Sequence, residues 1–269
     1  MTVRLHGIGY RYAGSARPAI EGIDLDIGDG EVVGLVGPSE SGKSTLCLVV
    51  AGLAPRMVGG RIRGTLTLDG EDVDDWPMHR LAERIGIGFQ NPSTQLSQVA
   101  GTVFEETAFG PMNLGLPRDE VVARTWQALS MLRIEELAER DPARLSGGQQ
   151  QLVAMAGLLA MRPAHLVLDE PTAQLDPAGT RLVGDAIAAL AAGGASILLA
   201  EQKTDLVAAL AGRTIALDGG RMGLAGPTSE VLEDPRLEEL GVIPPSAVRL
   251  RRALEREGID PSVLAEAAS

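Results

Sequence analysis

Short apolar runs broken by glycine fill the first 36 residues. Ile23-Asp24-Leu25-Asp26-Ile27 alternates with the period of a half-buried strand. The Gly28-Asp29-Gly30 turn leads into Glu31-Val32-Val33-Gly34-Leu35-Val36, a continuous apolar run that predicts a buried strand. Leu46 to Leu53 reads as a helix stopped by Pro55, and Gly64 to Gly70 as a strand and turn. A short helix through Leu81–Arg84 precedes a buried strand, Ile85-Gly86-Ile87-Gly88-Phe89, which ends at Gln90. Residues 91–101 turn polar and loop-like, and helices follow over Phe104–Phe109 and from about Asp119 to Leu132. In the second of these Asp119 is the expected N-cap, with Val122, Trp126, Leu129 and Leu132 spaced for one buried face. A helix over Gln150–Met161 ends before Pro163, and Leu166-Val167-Leu168-Asp169-Glu170 predicts a buried strand. A helix from Pro177 to Ala192, a strand over Ser196–Ala200 and a hairpin around Asp218-Gly219-Gly220 complete the pattern. This alternation predicts an α/β fold, a mostly parallel sheet flanked by helices, interrupted by a helical insertion over about 91–145. The main domain is expected to cover 1–233. A Pro-punctuated, charged extension over 234–269 follows, with one amphipathic helix near Ala247–Arg256.

Composition narrows the function. A chain of 269 residues is long enough for one large domain or two modest ones, and its 45% hydrophobic and 22% charged content is that of an ordinary globular protein. A net charge of −12, with Lys43 and Lys203 the only lysines, argues against nonspecific binding to nucleic acid or an anionic membrane. One cysteine, Cys47, excludes an intrachain disulfide and reads as a small buried hydrophobe. The sequence shows neither a run of about 20 apolar residues nor a signal-peptide core, so a cytoplasmic chain is expected.

Gly37-Pro38-Ser39-Glu40-Ser41-Gly42-Lys43-Ser44-Thr45 fits G-x-x-x-x-G-K-[ST] between a predicted strand and a predicted helix. Glycines allow a tight loop whose N–H groups, with the helix N-terminus, face phosphate oxygens. Lys43 would reach the β- and γ-phosphates and Ser44 would hold Mg²⁺. Tyr12 offers an aromatic face for adenine, whereas Tyr10 reads as a half-buried strand residue. Asp169 and Glu170 end a buried strand, where ligands of open α/β sheets bind.

Five motifs occur in a fixed order: the loop at 37–45, Gln90, Leu145-Ser146-Gly147-Gly148-Gln149, Leu166 to Glu170, and Ala173-Gln174-Leu175-Asp176. Together they resemble the ATPase subunit of an ATP-binding-cassette (ABC) transporter, over residues 3 to about 232. The insertion, with Phe89-Gln90-Asn91-Pro92, Gln95-Leu96, Thr102-Val103, Glu105-Glu106 and Ala108-Phe109-Gly110-Pro111-Met112-Asn113-Leu114-Gly115-Leu116-Pro117, is similar to the ATPases of energy-coupling-factor importers of vitamins or transition-metal ions. So is the Gly241-Val242-Ile243-Pro244-Pro245 segment with the Arg-rich helix after it. The resemblance implies a P-loop NTPase cassette with an N-terminal antiparallel β subdomain. It implies ATP and Mg²⁺ as ligands, with Ser44, Asp169 and Gln90 at the metal. Glu170 would polarise the attacking water. Ser146, Gly147 and Gly148 would open a helix whose N–H groups form a second anion site, and with Gln149 and Asp176 would act in trans on the nucleotide of a second ATPase subunit, identical or not. An integral membrane subunit would hold the pair at the cytoplasmic face of the membrane. The sequence departs from the family at Gln202, which stands where a histidine normally contacts the γ-phosphate; glutamine donates a hydrogen bond but never becomes cationic. Glu40, a carboxylate inside the phosphate loop, is expected to point to solvent. Two other readings of the chain are a soluble, non-transport cassette ATPase and a weakly hydrolysing regulatory partner.

Overall fold

A computed structural model describes residues 2–260. Of the extension, 261–269 lie outside the described residues. In chain order the elements are β1 (Val3–Arg11), β2 (Ile20–Ile27), β3 (Val32–Val36), α1 (Lys43–Val50), β4 (Arg61–Leu68), β5 (Glu71–Asp72), α2 (Met78–Ala82) and β6 (Ile85–Gly88). The insertion carries α3 (Val103–Asn113) and α4 (Arg118–Met131), and α5 (Gly147–Met161) returns the chain to β7 (His165–Asp169). Then come α6 (Pro177–Ala192), β8 (Ser196–Ala200), α7 (Thr204–Leu210), β9 (Arg213–Asp218), β10 (Arg221–Pro227), α8 (Thr228–Glu233), α9 (Arg236–Glu239) and α10 (Ser246–Arg256).

Two sheets form. β2-β1-β4-β5 is antiparallel; the other has the order β10-β9-β3-β8-β7-β6, parallel except for the antiparallel β9–β10 hairpin. The central strands divide their side chains between two cores, as the two-residue period of a strand requires. Val32 and Val36 of β3, Leu166 and Leu168 of β7, and Ile197 and Leu199 of β8 face a core shared with α4, α5 and α6. Val33, Leu35, Val167, Leu198 and Ala200 face the other, built with α1 and the antiparallel sheet. The six-stranded sheet is thus buried on both faces, which accounts for its unbroken apolar runs.

Capping sets several helix starts. Thr102 and Glu105 form a reciprocal capping box on α3, and Ser146 and Gln149 form one on α5. α5 therefore begins at Gly147 with Ser146 as its N-cap, as the motif implies, about a turn before the periodic run from Gln150. The expected cap at Asp119 is not formed: α4 starts at Arg118 after Pro117, without a side-chain cap. Its buried residues are Val121, Thr125, Ala128 and Leu129, whereas Val122 and Trp126 are exposed. Trp126 rests at the surface against Phe104, ring centroids 5.2 Å apart. Tyr10 is fully buried rather than half-buried, its hydroxyl donating to the Gly59 carbonyl. Cys47 is buried, and desolvation pushes its thiol well up, away from the reactive thiolate.

Candidate nucleotide site

Parallel pairing of β3, β8, β7 and β6 puts their carboxyl ends on one sheet edge. From that edge emerge the loop after β3, Gln90 after β6, Glu170 after β7 and Gln202 after β8. The cleft formed there has a volume of about 440 Å³, and Lys43, Ser44, Thr45, Gln90, Glu170 and Gln202 line it together with Ser39, Glu40 and Gly42.

The loop over 37–42 is shaped by its glycines. A Cβ at Gly37 would lie 2.5 Å from the Leu217 carbonyl oxygen and 2.6 Å from Ser41 Oγ. One at Gly42, whose φ is 105°, would lie 2.9 Å from the Ala19 oxygen and 2.8 Å from Ile20 Cγ2. Gly42 is also the N-cap of α1 and provides no side-chain acceptor. The first N–H groups of that helix therefore have no capping partner and remain available to an anion. Lys43 is 5% exposed, and its ammonium donates to the Gly37 and Pro38 carbonyls at 2.9 Å each. Glu40 has φ 64° and is exposed where it lines the cleft.

Asp169 is buried beside this loop. Burial raises its carboxyl pKa; a hydrogen bond from Ser44 lowers it, Glu170 raises it further and the Lys43 charge lowers it. Its Oδ1 is buried without a hydrogen-bond partner among the described residues. An orphaned anionic oxygen beside a serine hydroxyl is the donor set a hard divalent cation takes, so Ser44 and Asp169 fit Mg²⁺.

Glu170 lies one residue beyond β7 in the left-handed region, φ 50°, and its N–H is fixed to the Ala200 carbonyl at 2.8 Å. A non-glycine residue is held in this conformation only where its surroundings enforce it. Both carboxylate oxygens are engaged: Gln90 Nε2 donates to Oε2 at 2.7 Å and Gln202 Nε2 donates to Oε1 at 2.7 Å. The side chain standing at the histidine position thus grips the carboxylate directly. A carboxylate oriented by two amides and open to a cleft can accept a proton from a bound nucleophile.

The remaining sequence candidates lie elsewhere. Ser146 and Gly147 are exposed at the start of α5, and none of Ser146, Gly147, Gly148, Gln149 and Asp176 lines the cleft. Ser146 and Gln149 bond each other, and exposed Asp176 accepts from Gly179 N at 2.7 Å as the N-cap of α6. The two segments adjoin, since a Cβ at Gly147 would clash with Gln174 Oε1. They form a second surface at which N–H groups of a helix N-terminus meet solvent, separate from the first within one chain. Tyr12 stands against Tyr10, ring centroids 4.9 Å apart and edge-on, with its hydroxyl 3.0 Å from Thr45 Oγ1.

Sequence reasoning missed Pro18, Ala19 and Gly219, which also line the cleft. Backbone contacts place them: Gly220 N–H donates to the Ser41 carbonyl at 2.9 Å and Glu21 N–H to the Gly220 carbonyl at 2.8 Å. No side-chain pattern advertises such a contact. Glu201, which accepts from the Gln202 N–H, and Lys203, which donates to the Thr172 carbonyl, were also missed, although two charges so close after an apolar strand were a visible signal.

Comparisons with known proteins show the family and the fold. The ABC transporter family model matches residues 20–173. The Methanosarcina acetivorans protein called energy-coupling factor transporter ATP-binding protein EcfA is 37% identical over 258 residues, covering 96% of this chain and 91% of its own length. A Pyrococcus abyssi protein, described no further than as an ABC transporter ATP-binding protein, is 37% identical over 259 residues, 96% of this chain and 92% of that one. The solved structure of cbiO1 from Clostridium perfringens, described as part of the ABC transporter complex cbiONQ, superposes with a TM-score of 0.77. It shares 30% identity and covers 95% of this chain and 96% of that one.

Proposed function

The chain belongs to the ABC transporter family as an ATP-binding subunit with ATPase activity, and on that premise we propose that it powers an energy-coupling-factor type importer of a vitamin or a transition-metal ion. The observation that carries the enzymatic part is the convergence of an uncapped helix N-terminus, buried Lys43, orphaned Asp169 and doubly held Glu170 at one sheet edge. Lys43 and the N–H groups of the loop hold the β- and γ-phosphates, and Thr45 fixes Tyr12 for the adenine face. Mg²⁺, held by Ser44 and Asp169 with Gln90 nearby, would neutralise charge on the phosphate oxygens. Glu170 accepts the proton of the attacking water while Gln90 and Gln202 hold its two oxygens.

One chain leaves the γ-phosphate side of the cleft open. A second cassette, facing it about a twofold axis, would bring Ser146, Gly147, Gly148 and Gln149 over that side and seat Asp176 across the interface. ATP shared between both faces binds the closed pair better than the open one and so drives closure. Exposed Val99, Phe109, Met112 and Trp126 give the insertion an apolar surface suited to a membrane subunit; no helix among the described residues is long and apolar enough to cross a bilayer itself. The finer assignment to energy-coupling-factor importers rests on the insertion motifs and on the EcfA relative. Uptake tests it: cells that depend on this chain accumulate a labelled vitamin or Co²⁺/Ni²⁺, and Glu170→Gln abolishes the accumulation. Uptake that persists with Glu170→Gln, or that never depends on the chain, contradicts the reading.

A further inference from the structure

Two charged side chains outside the catalytic set join the loop after β8 to the loop after β7. Glu201 is 2% exposed. Its Oε1 accepts from Thr172 N at 3.2 Å and Thr172 Oγ1 at 2.5 Å, and its Oε2 accepts from Gln202 N at 3.0 Å and Lys203 N at 3.2 Å. Lys203 Nζ reaches the same loop, donating to the Thr172 carbonyl at 2.7 Å and the Leu175 carbonyl at 3.2 Å, and also reaches α6, donating to Thr180 Oγ1 at 3.0 Å. Thr172 is therefore held at its N–H, its hydroxyl and its carbonyl. Four of these hydrogen bonds tie Glu201 and Lys203 to Thr172 and Leu175, and the Glu201 carboxylate in turn holds the N–H groups of Gln202 and Lys203. Breaking one partner of such a buried network leaves desolvated groups unpaired, so the two loops move as one body.

We propose that Glu201 and Lys203 are positioning residues for ATP hydrolysis. They transmit the setting of the 172–176 segment, which presents Asp176 at the surface, to the Gln202–Glu170 hydrogen bond in the cleft. The proposal rests on the reading that a second cassette meets Asp176. Its seating shifts Leu175 and Thr172; Lys203 and Glu201 carry the shift to residue 202; and the carboxylate reaches its working orientation only in the closed pair. Turnover is thereby made contingent on assembly, while nucleotide affinity, set at the phosphate loop, is not.

The test uses the full chain with its ATPase partner, or as its own dimer. Turnover, MgATP affinity and MgATP-driven association are measured for Lys203→Met, Lys203→Arg, Glu201→Gln, Gln202→Leu and the double variant Lys203→Met/Gln202→Leu. Lys203→Met is expected to lower kcat about tenfold, the size of one coupled contact, with MgATP affinity and association within about twofold of wild type. Lys203→Arg, which keeps the donors, should recover most of the loss. The double variant should turn over no slower than Gln202→Leu alone, because both changes act through one hydrogen bond. Unchanged turnover in Lys203→Met, losses that multiply in the double variant, or an affinity that falls in step with kcat would each overturn the proposal. Glu201→Gln keeps the volume of the buried side chain and replaces only one acceptor oxygen. If Lys203→Met proves unfolded by circular dichroism, wild-type kcat in a folded Glu201→Gln overturns the proposal equally. Wild-type chains that fail to associate with MgATP would instead remove the two-cassette reading beneath it.

Discussion

Replacing Gln202 by leucine removes one of the two amides that hold Glu170 and leaves the other. The bond lost is 2.7 Å long and ends on a carboxylate oxygen of a residue only 8% exposed, so water replaces it poorly. A hydrogen bond to a charged group contributes about 1.5–3 kcal/mol, and leaving a buried acceptor unpaired costs a similar amount. If that energy holds the base in its transition-state orientation, then at about 1.4 kcal/mol per decade kcat falls roughly 10- to 150-fold. The loss stays well short of the roughly 10⁴-fold at the upper end of what a positioned base contributes, because Gln90 and the Glu170–Ala200 backbone bond remain. Residue 202 is exposed, so leucine there creates no core defect. Phosphate release at saturating MgATP gives kcat, and a fluorescent nucleotide analogue gives affinity, expected to change less than about threefold since phosphates are held at 37–45. Wild-type kcat in Gln202→Leu would refute the reasoning. So would a Gln202→Leu/Glu170→Gln double variant clearly slower than Glu170→Gln alone, since Gln202 would then act on something other than the base. Gln202→His keeps a donor but adds an ionisable one, so its kcat should acquire a pH dependence near 6.5 that wild type lacks at this position.

Gly42→Ala should weaken MgATP binding by about tenfold or more, measured calorimetrically, with the circular dichroism spectrum retained. The added Cβ meets the Ala19 carbonyl and Ile20 in a left-handed conformation, so the loop must shift. His165 supplies a pH prediction. It is fully buried at the start of β7, against Asp69 and near Arg84; burial lowers its pKa, with Asp69 opposing and Arg84 adding to the fall. A depressed histidine pKa gives stability that is present above the unfolded value of about 6.5 and lost as pH falls below it, because only the unfolded chain then takes up the proton. Urea unfolding from pH 8 to 5.5 should show this slope in wild type and lose it in His165→Leu. Met112 is 61% exposed on the insertion, and Met112→Glu should leave basal ATP turnover unchanged while abolishing copurification with a membrane subunit.

The phosphate loop, the two carboxylates and the α/β layering were readable because each is local. A buried strand announces itself in five residues, and a loop that must fold onto phosphate needs its glycines at fixed spacing. Glu170's surroundings were not readable, because its amide partners lie 80 residues before it and 32 after it. Only the parallel order of β6, β7 and β8 brings them together. The wedge of Gly220 under Ser41 is made by backbone groups, which leave no trace in side-chain pattern. The α4 face was misjudged because Val122 and Trp126 fit a helical stripe equally well, and Trp126 spends its apolar area on Phe104 at the surface. The start of α5 was readable from the Ser146-Gly147-Gly148 motif, whereas periodicity alone, weakened by the low helix propensity of glycine, pointed to Gln150.

Two surfaces that one chain keeps apart, the Lys43 cleft and the Ser146 helix start, must meet across a pair of cassettes to enclose a triphosphate. Sedimentation of Glu170→Gln with and without MgATP, alone and with a companion ATPase subunit, measures this directly. Doubling of mass on addition of MgATP, abolished by Ser146→Arg, is the predicted result. Bound MgATP on a protein that stays a monomer in every mixture would contradict it.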